Sequence, residues 1–144
     1  MNQKALVEAA LAMLPKAYAP YSHFHVGAAL LTKDGEVFTG CNVENASYGA
    51  AICAERTAFV KAVSEGKREF QAIAVVGGRE GAVTDFTPPC GICRQVMAEF
   101  GGPDFQILLA KSPEEIRCLT LAELLPEAFG GAQLEKEDGS DADV

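Results

Sequence analysis

Cys53, Glu55, Cys90 and Cys93 are the residues of this chain best suited to chemistry. Cys90 and Cys93 are spaced so that one helical turn puts both thiols on a common face. Cys53 adds a third thiol, with a carboxylate two positions on. Three thiolates can hold a zinc ion and leave its fourth position to water, as catalytic zinc sites require. A carboxylate beside that water can move its protons. Glu55 cannot serve at once as a fourth ligand and as a proton shuttle, and the shuttle is the role assigned to it. Three thiolates on one Zn²⁺ leave a net negative charge, which Arg56 is placed to offset. From spacing alone two other readings stay open: half of a structural zinc site, or a redox dithiol at Cys90-Gly91-Ile92-Cys93.

These residues need elements to position them. Ala5, Leu6, Ala9, Ala10, Met13 and Leu14 recur at helical spacing, which predicts a helix over 3–14. Ala19-Pro20-Tyr21-Ser22 reads as a loop. Val26 to Thr32 reads as a strand, Asp34-Gly35 as a hairpin turn, and Val37 to Val43 as the return strand. Residues 44–52 read as a loop. A helix from Cys53 to about Ser64 carries Ala54, Ala58, Phe59, Ala62 and Val63, with Gly66 as its stop. Phe70 to Val76 reads as a buried strand. A Gly-rich loop over 77–89 then delivers Cys90 to a helix ending near Phe100. Phe105 to Ala110 and Ile116 to Thr120 read as strands, and Leu121 to Leu125 as a short helix. The expected architecture is α/β, in three α-β-α layers with one mixed five-stranded sheet. The helix starts at Cys53 and Cys90 should meet at one edge of it, where ligands bind in open α/β folds. All three thiols then lie near helix N-termini, which favour thiolates. Cys41 and Cys118 fall on strands and read as ordinary buried residues.

Composition narrows the function. The 144 residues are 49% hydrophobic and 22% charged, as in one soluble domain. The expected division is a single domain over 1–134 and an acidic, disordered tail over 135–144. The net charge of −8, with no Lys/Arg cluster, argues against a duplex nucleic-acid partner. Glu8 interrupts the apolar pattern of the first residues, so no signal peptide is expected, and no run is long enough for a membrane span. Five cysteines in a chain of this kind point to a reducing cytoplasm and to metal or catalysis rather than disulfides.

Cys53-Ala54-Glu55 with Pro89-Cys90-x-x-Cys93 resembles the signature of the zinc nucleoside and nucleobase deaminases, a class already known for a three-sulfur site and a non-ligand glutamate. Four further blocks resemble the short, homotetrameric cytidine deaminases. They are Tyr18 to Leu30, Gly40 to Tyr48, the continuation Arg56-Thr57-Ala58, and Leu124-Leu125-Pro126-x-Ala128-Phe129. Cys90-Gly91-x-Cys93-Arg94-Gln95 extends the metal motif in the same way. The resemblance implies one Zn²⁺ per chain on Cys53, Cys90 and Cys93. It implies hydrolytic deamination of cytidine and 2′-deoxycytidine, with Glu55 passing a proton to N3 and then to the departing amine. Arg56 would compensate charge at the thiolates. Asn42 and Glu44 would bind the ribose hydroxyls, Phe24 would pack on the nucleoside, and Ala54 would also contact it. Pockets would be shared in a homotetramer, so Tyr48 and Phe129 would reach a substrate held by another chain.

Bland alternatives exist for these positions. Phe24 and Phe129 could be plain core aromatics, and Asn42 and Glu44 exposed residues at a strand end. His23 and His25 read as polar loop residues. The nearest rival function is a blasticidin-S-type deaminase. A polynucleotide cytosine editor fits poorly, lacking here both a His in the first metal motif and a basic surface. A thiol–disulfide oxidoreductase leaves Cys53, Glu55 and Arg56 idle, and a structural zinc module gives Glu55 no role.

Overall fold

A computed structural model of the chain describes residues 1–134. The expected acidic tail over 135–144 lies outside the described residues.

Five strands form one mixed sheet in the order β2-β1-β3-β4-β5. They are β1 Phe24–Thr32, β2 Val37–Cys41, β3 Phe70–Arg79, β4 Gln106–Ser112 and β5 Glu115–Thr120. β1 pairs antiparallel with both β2 and β3, and β4 with β5, whereas β3 and β4 run parallel. β2 and β3 are therefore parallel to each other across β1. Both parallel relationships are bridged by helices: α2 (Ala54–Ser64) follows β2, and α3 (Gly91–Phe100) follows β3.

Side chains alternate across the sheet, as strand geometry demands. Ala28, Leu30, Ile73, Val75, Ile107 and Leu109 face α2 and α3, packing on Ala58, Phe59, Ala62 and Met97. Ala29, Leu31, Ala74, Val76, Leu108 and Ala110 face α1 (Gln3–Leu11), packing on Leu6, Val7 and Ala10. The expected three α-β-α layers are present. Asn2 starts α1 by accepting the Ala5 amide at 2.8 Å. A short helix α4 (Leu121–Leu124) is closed by a reciprocal Thr120–Glu123 capping box.

Several boundaries differ from the sequence expectation. α1 stops at Leu11, and Leu14–Lys16 forms a 3₁₀ turn instead of prolonging it, because Pro15 cannot continue the ladder. β1 begins at Phe24 and β3 runs to Arg79, since these ends pair with each other. β2 ends at Cys41 rather than Val43. Val43 instead bridges to Tyr18 and Ile52, folding residues 44–52 back over the sheet end. Cys41 and Cys118 are not buried: Cys41 is half-buried on edge strand β2 and Cys118 is exposed on edge strand β5.

Gly40 decides how closely α2 can approach. A Cβ there would lie 2.4 Å from the Ala54 carbonyl oxygen and 2.6 Å from the Ala58 nitrogen. Only glycine lets the first turn of α2 rest on β2. That turn carries Glu55.

Candidate active site

The topology builds the site. Chains leave β2 and β3 at their carboxyl ends and re-enter as α2 and α3, so both helix N-termini lie at the same end of the sheet. The amino end of β1, starting at Phe24, lies between them. Cys53 is the N-cap residue of α2 and Cys90 that of α3, and neither helix start has a side-chain cap. Their first amides are left free to face negative charge. The meeting point is thus one end of the sheet rather than a lateral edge. It is a crevice at the carboxyl ends of strands, where open α/β sheets bind ligands.

The three thiols converge. Their sulfur atoms all lie within 4.8 Å of one another. Cys53 Sγ is 3.8 Å from Cys90 Sγ, and Cys90 Sγ is 3.5 Å from Cys93 Sγ. A tetrahedral zinc with sulfurs at about 2.3 Å keeps its ligands about 3.8 Å apart, so the spacing suits that ion. The proton balance suits it too. Hydrogen bonding from Cys93, and then from Arg56, pulls the Cys53 thiol down to about 5. The same contact pushes Cys93 well above the usual thiol range. This departs from the expectation that helix N-termini depress every thiol. Adjacent thiols cannot all ionise without a cation, and the two are pushed in opposite directions, Cys53 down and Cys93 up. A divalent cation would resolve that competition.

Glu55 lies beside the thiols and is only 4% exposed. Burial, with the charge of the Cys53 thiolate added to it, raises its carboxyl to about 7. A carboxyl poised there can both take and give a proton near neutral pH. Arg56 donates to Cys53 Sγ at 3.6 Å. Its buried Nε has no protein partner.

A cavity of about 580 Å³ opens over these groups. Phe24, Asn42, Glu44, Tyr48, Cys53, Glu55, Arg56 and Cys90 all line it. Cys93 is buried beneath. The Asn42 amide is fixed by β1: its Oδ1 accepts the Val26 amide and its Nδ2 donates to the Phe24 carbonyl, both at 2.8 Å. One N–H and one lone pair remain for a ligand. Glu44 accepts the Tyr21 and Ser22 amides at 2.9 and 3.1 Å. The Phe24 ring stands against Gly77 and Thr87, where a Cβ on Gly77 would come within 3.1 Å of the ring.

Ala54 and Phe129 do not line this cavity, and for Phe129 the expected contact was with a substrate held by another chain. The Ala54 side chain is wholly buried in the core, leaving its backbone amide at the start of α2 as the group on offer. Phe129 is 56% exposed and lines a different cavity, with Gly101, Leu121 and Leu125. Its carbonyl is held by Gln95 Nε2 at 2.8 Å. Tyr48 reaches the pocket rim but is 77% exposed.

Sequence reading missed Ser22, Ile52, Thr87, Pro88 and Ile92, which also line the cavity. Ser22 sits in the turn before β1, so strand alternation gave no signal for it. Arg94 was also given no role. Its guanidinium donates to the Pro89 carbonyl at 2.8 Å and the Leu124 carbonyl at 2.7 Å, tying the Cys90 loop to α4.

Fold and site together define a small α/β domain with a three-thiol metal site beside a buried carboxyl. The family of the cytidine and deoxycytidylate deaminase zinc-binding region matches residues 1–109. A cytidine deaminase of Halalkalibacterium halodurans is 51% identical over 129 residues, covering 90% of this chain and 95% of that one. One of Sporosarcina psychrophila is 47% identical over 134 residues, covering 93% and 96%. The crystal structure of cytidine deaminase from Burkholderia pseudomallei superposes with a TM-score of 0.82 at 53% identity, covering 90% of this chain and 100% of that one. A blasticidin-S deaminase of Bacillus cereus stands further off, 32% identical and covering 84% and 87%. The chain belongs to the cytidine deaminase family.

Proposed function

We propose that this protein catalyses hydrolytic deamination of cytidine and 2′-deoxycytidine, giving uridine or 2′-deoxyuridine and ammonia, as a step of pyrimidine salvage. The observation that carries the reading is the buried Glu55 carboxyl, raised to about 7, beside three convergent sulfurs. Zinc held by Cys53, Cys90 and Cys93 supplies a Lewis acid that lowers the pKa of a water in the pocket.

The chain's own residues do the rest. Phe24 and the backbone amide of Ala54 orient the pyrimidine. The fixed Asn42 amide offers a donor and an acceptor to the sugar, and the Glu44 carboxylate accepts from a hydroxyl. Glu55 takes the proton of the water that adds to C4 and delivers a proton to N3. It then takes the proton of the new C4 hydroxyl and passes it to the exocyclic nitrogen, which leaves as ammonia as the C4 carbonyl forms. One water is consumed, and Glu55 ends as it began. Arg56 holds Cys53 as thiolate and balances the excess negative charge.

The exposure of Phe129 and Tyr48 supports an assembly in which each pocket is completed by neighbouring chains, with a homotetramer as the proposed form. A cytoplasmic setting fits five cysteines that are free of disulfides among the described residues. Among those residues no helix is long and apolar enough to cross a membrane.

Zinc content per chain and loss of cytidine absorbance, measured on the same preparation, test the reading. About one zinc per chain with rapid conversion to uridine is expected. Zinc without turnover of either nucleoside would move the substrate toward a blasticidin-type antibiotic. Neither zinc nor activity in protein never exposed to chelator would overturn the reading in favour of a dithiol function.

A further inference from the structure

We propose that Ser22 is a positioning residue for sugar recognition, clamping the Glu44 carboxylate in one orientation beside Phe24. The proposal rests on the reading that Glu44 binds a hydroxyl of the nucleoside sugar. The Ser22 hydroxyl has one proton and two lone pairs. The Phe24 amide donates to its oxygen at 3.0 Å, a bond that orients the hydroxyl. Its proton goes to Glu44 Oε2. The amides of Tyr21 and Ser22 both donate to Oε1. Both carboxylate oxygens are thus anchored to one tight turn.

That turn is itself constrained. His23 occupies the left-handed region at φ 61, and its amide donates to the Ala19 carbonyl at 3.0 Å. The Glu44 amide is held by the Tyr18 carbonyl at 2.8 Å. Of the roughly four lone-pair positions on a carboxylate, three are filled, leaving room for about one hydroxyl of a ligand. The Ser22 hydroxyl also holds Glu44 below the usual carboxylate range, so the group stays a pure acceptor. Without that hydroxyl, Oε2 has no protein partner and the carboxylate can swing about Oε1. The same hydroxyl touches the amide of Phe24, so one side chain ties the sugar-binding group to the residue against the base.

Steady-state kinetics on cytidine with zinc-loaded protein test this. Ser22→Ala should raise KM about fivefold to tenfold, the effect of losing one hydrogen bond to a charged group, and leave kcat within about twofold. Ser22→Thr, which keeps the hydroxyl, should restore KM. In a Glu44→Gln background, Ser22→Ala should add no further increase. Should Ser22→Ala fail to fold, Ser22→Cys, similar in size but a much weaker donor, should show the raised KM. If Glu44→Gln raises KM but neither Ser22 variant does, the proposal is overturned and the sugar-binding reading stands. A fall in kcat or in zinc content at unchanged KM would mark a merely structural role and also overturn it. If Glu44→Gln leaves KM unchanged, the sugar-binding reading itself falls, and the proposal falls with it.

Discussion

Glu55 carries a cost that its proposed role as proton carrier would explain. A carboxyl raised from 4.5 to about 7 by burial opposes folding wherever the unfolded chain would ionise it. The cost is absent below pH 4.5, grows through the window from 4.5 to about 7, and is constant above it. The shift corresponds to about 3 kcal/mol in the metal-free protein. Glu55→Gln removes the ionisation. Metal-free Glu55→Gln protein should therefore melt higher than the metal-free parent at pH 8, with the gap closing toward pH 4.5. Melting curves across that range check it, and an equal gap at both ends would show that the carboxyl is not raised. At this scale the sequence was informative about residue types, because thiols and a carboxylate at these spacings have few shared uses. It said less about Ser22, whose role depends on a turn that brings residue 22 to residue 44. Cys118 read as buried, because nothing in the sequence showed that β5 is an edge strand.

The site stands on helix starts, and these depend on close packing. Gly40→Ala would place a methyl against the Ala54 carbonyl and the Ala58 nitrogen, forcing α2 off β2. We expect a loss of about 1–3 kcal/mol and weakened zinc retention, since Cys53 and Glu55 move with the helix. Gly49→Ala, with open space around its Cβ, is the control and should change neither. Calorimetry and zinc competition check both, and a Gly40→Ala protein with parental zinc affinity would remove the steric argument. The hairpin, the two helix starts and the strand order along the chain were legible, because Asp34-Gly35, Gly66 and Pro88-Pro89 punctuate them. The end of α1 was not, since Met13 and Leu14 keep the apolar spacing although the helix has already ended at Leu11, ahead of Pro15. Nor was the start of β1, which is extended by the Asn42 side chain binding the backbone of Phe24 and Val26.

Across the molecule, the sheet order sets β1 between the two strands whose carboxyl ends feed the metal-bearing helices. A cation held by Cys53, Cys90 and Cys93 would join the starts of α2 and α3. Chelation should lower the melting temperature by about 5 °C or more, and zinc should restore it. An unchanged melting temperature after verified metal loss would show that zinc adds nothing to the fold. Phe129 lies outside its own chain's cavity, yet Phe129→Ala should raise KM if neighbours share pockets. Sedimentation should show four chains together, and a fully active single chain would contradict the shared pocket. The three layers were legible from alternating helix and strand patterns. Phe129 was set at another chain's substrate by resemblance alone, since no spacing in the sequence carries that relation.

The measurement closest to the centre of this account is turnover of the Glu55→Gln variant at known zinc content. With Glu55 as proton carrier and not ligand, the variant should keep one zinc per chain and its fold, and lose about 10²- to 10⁴-fold in kcat. A variant that holds zinc and turns over cytidine at the parental rate would contradict it.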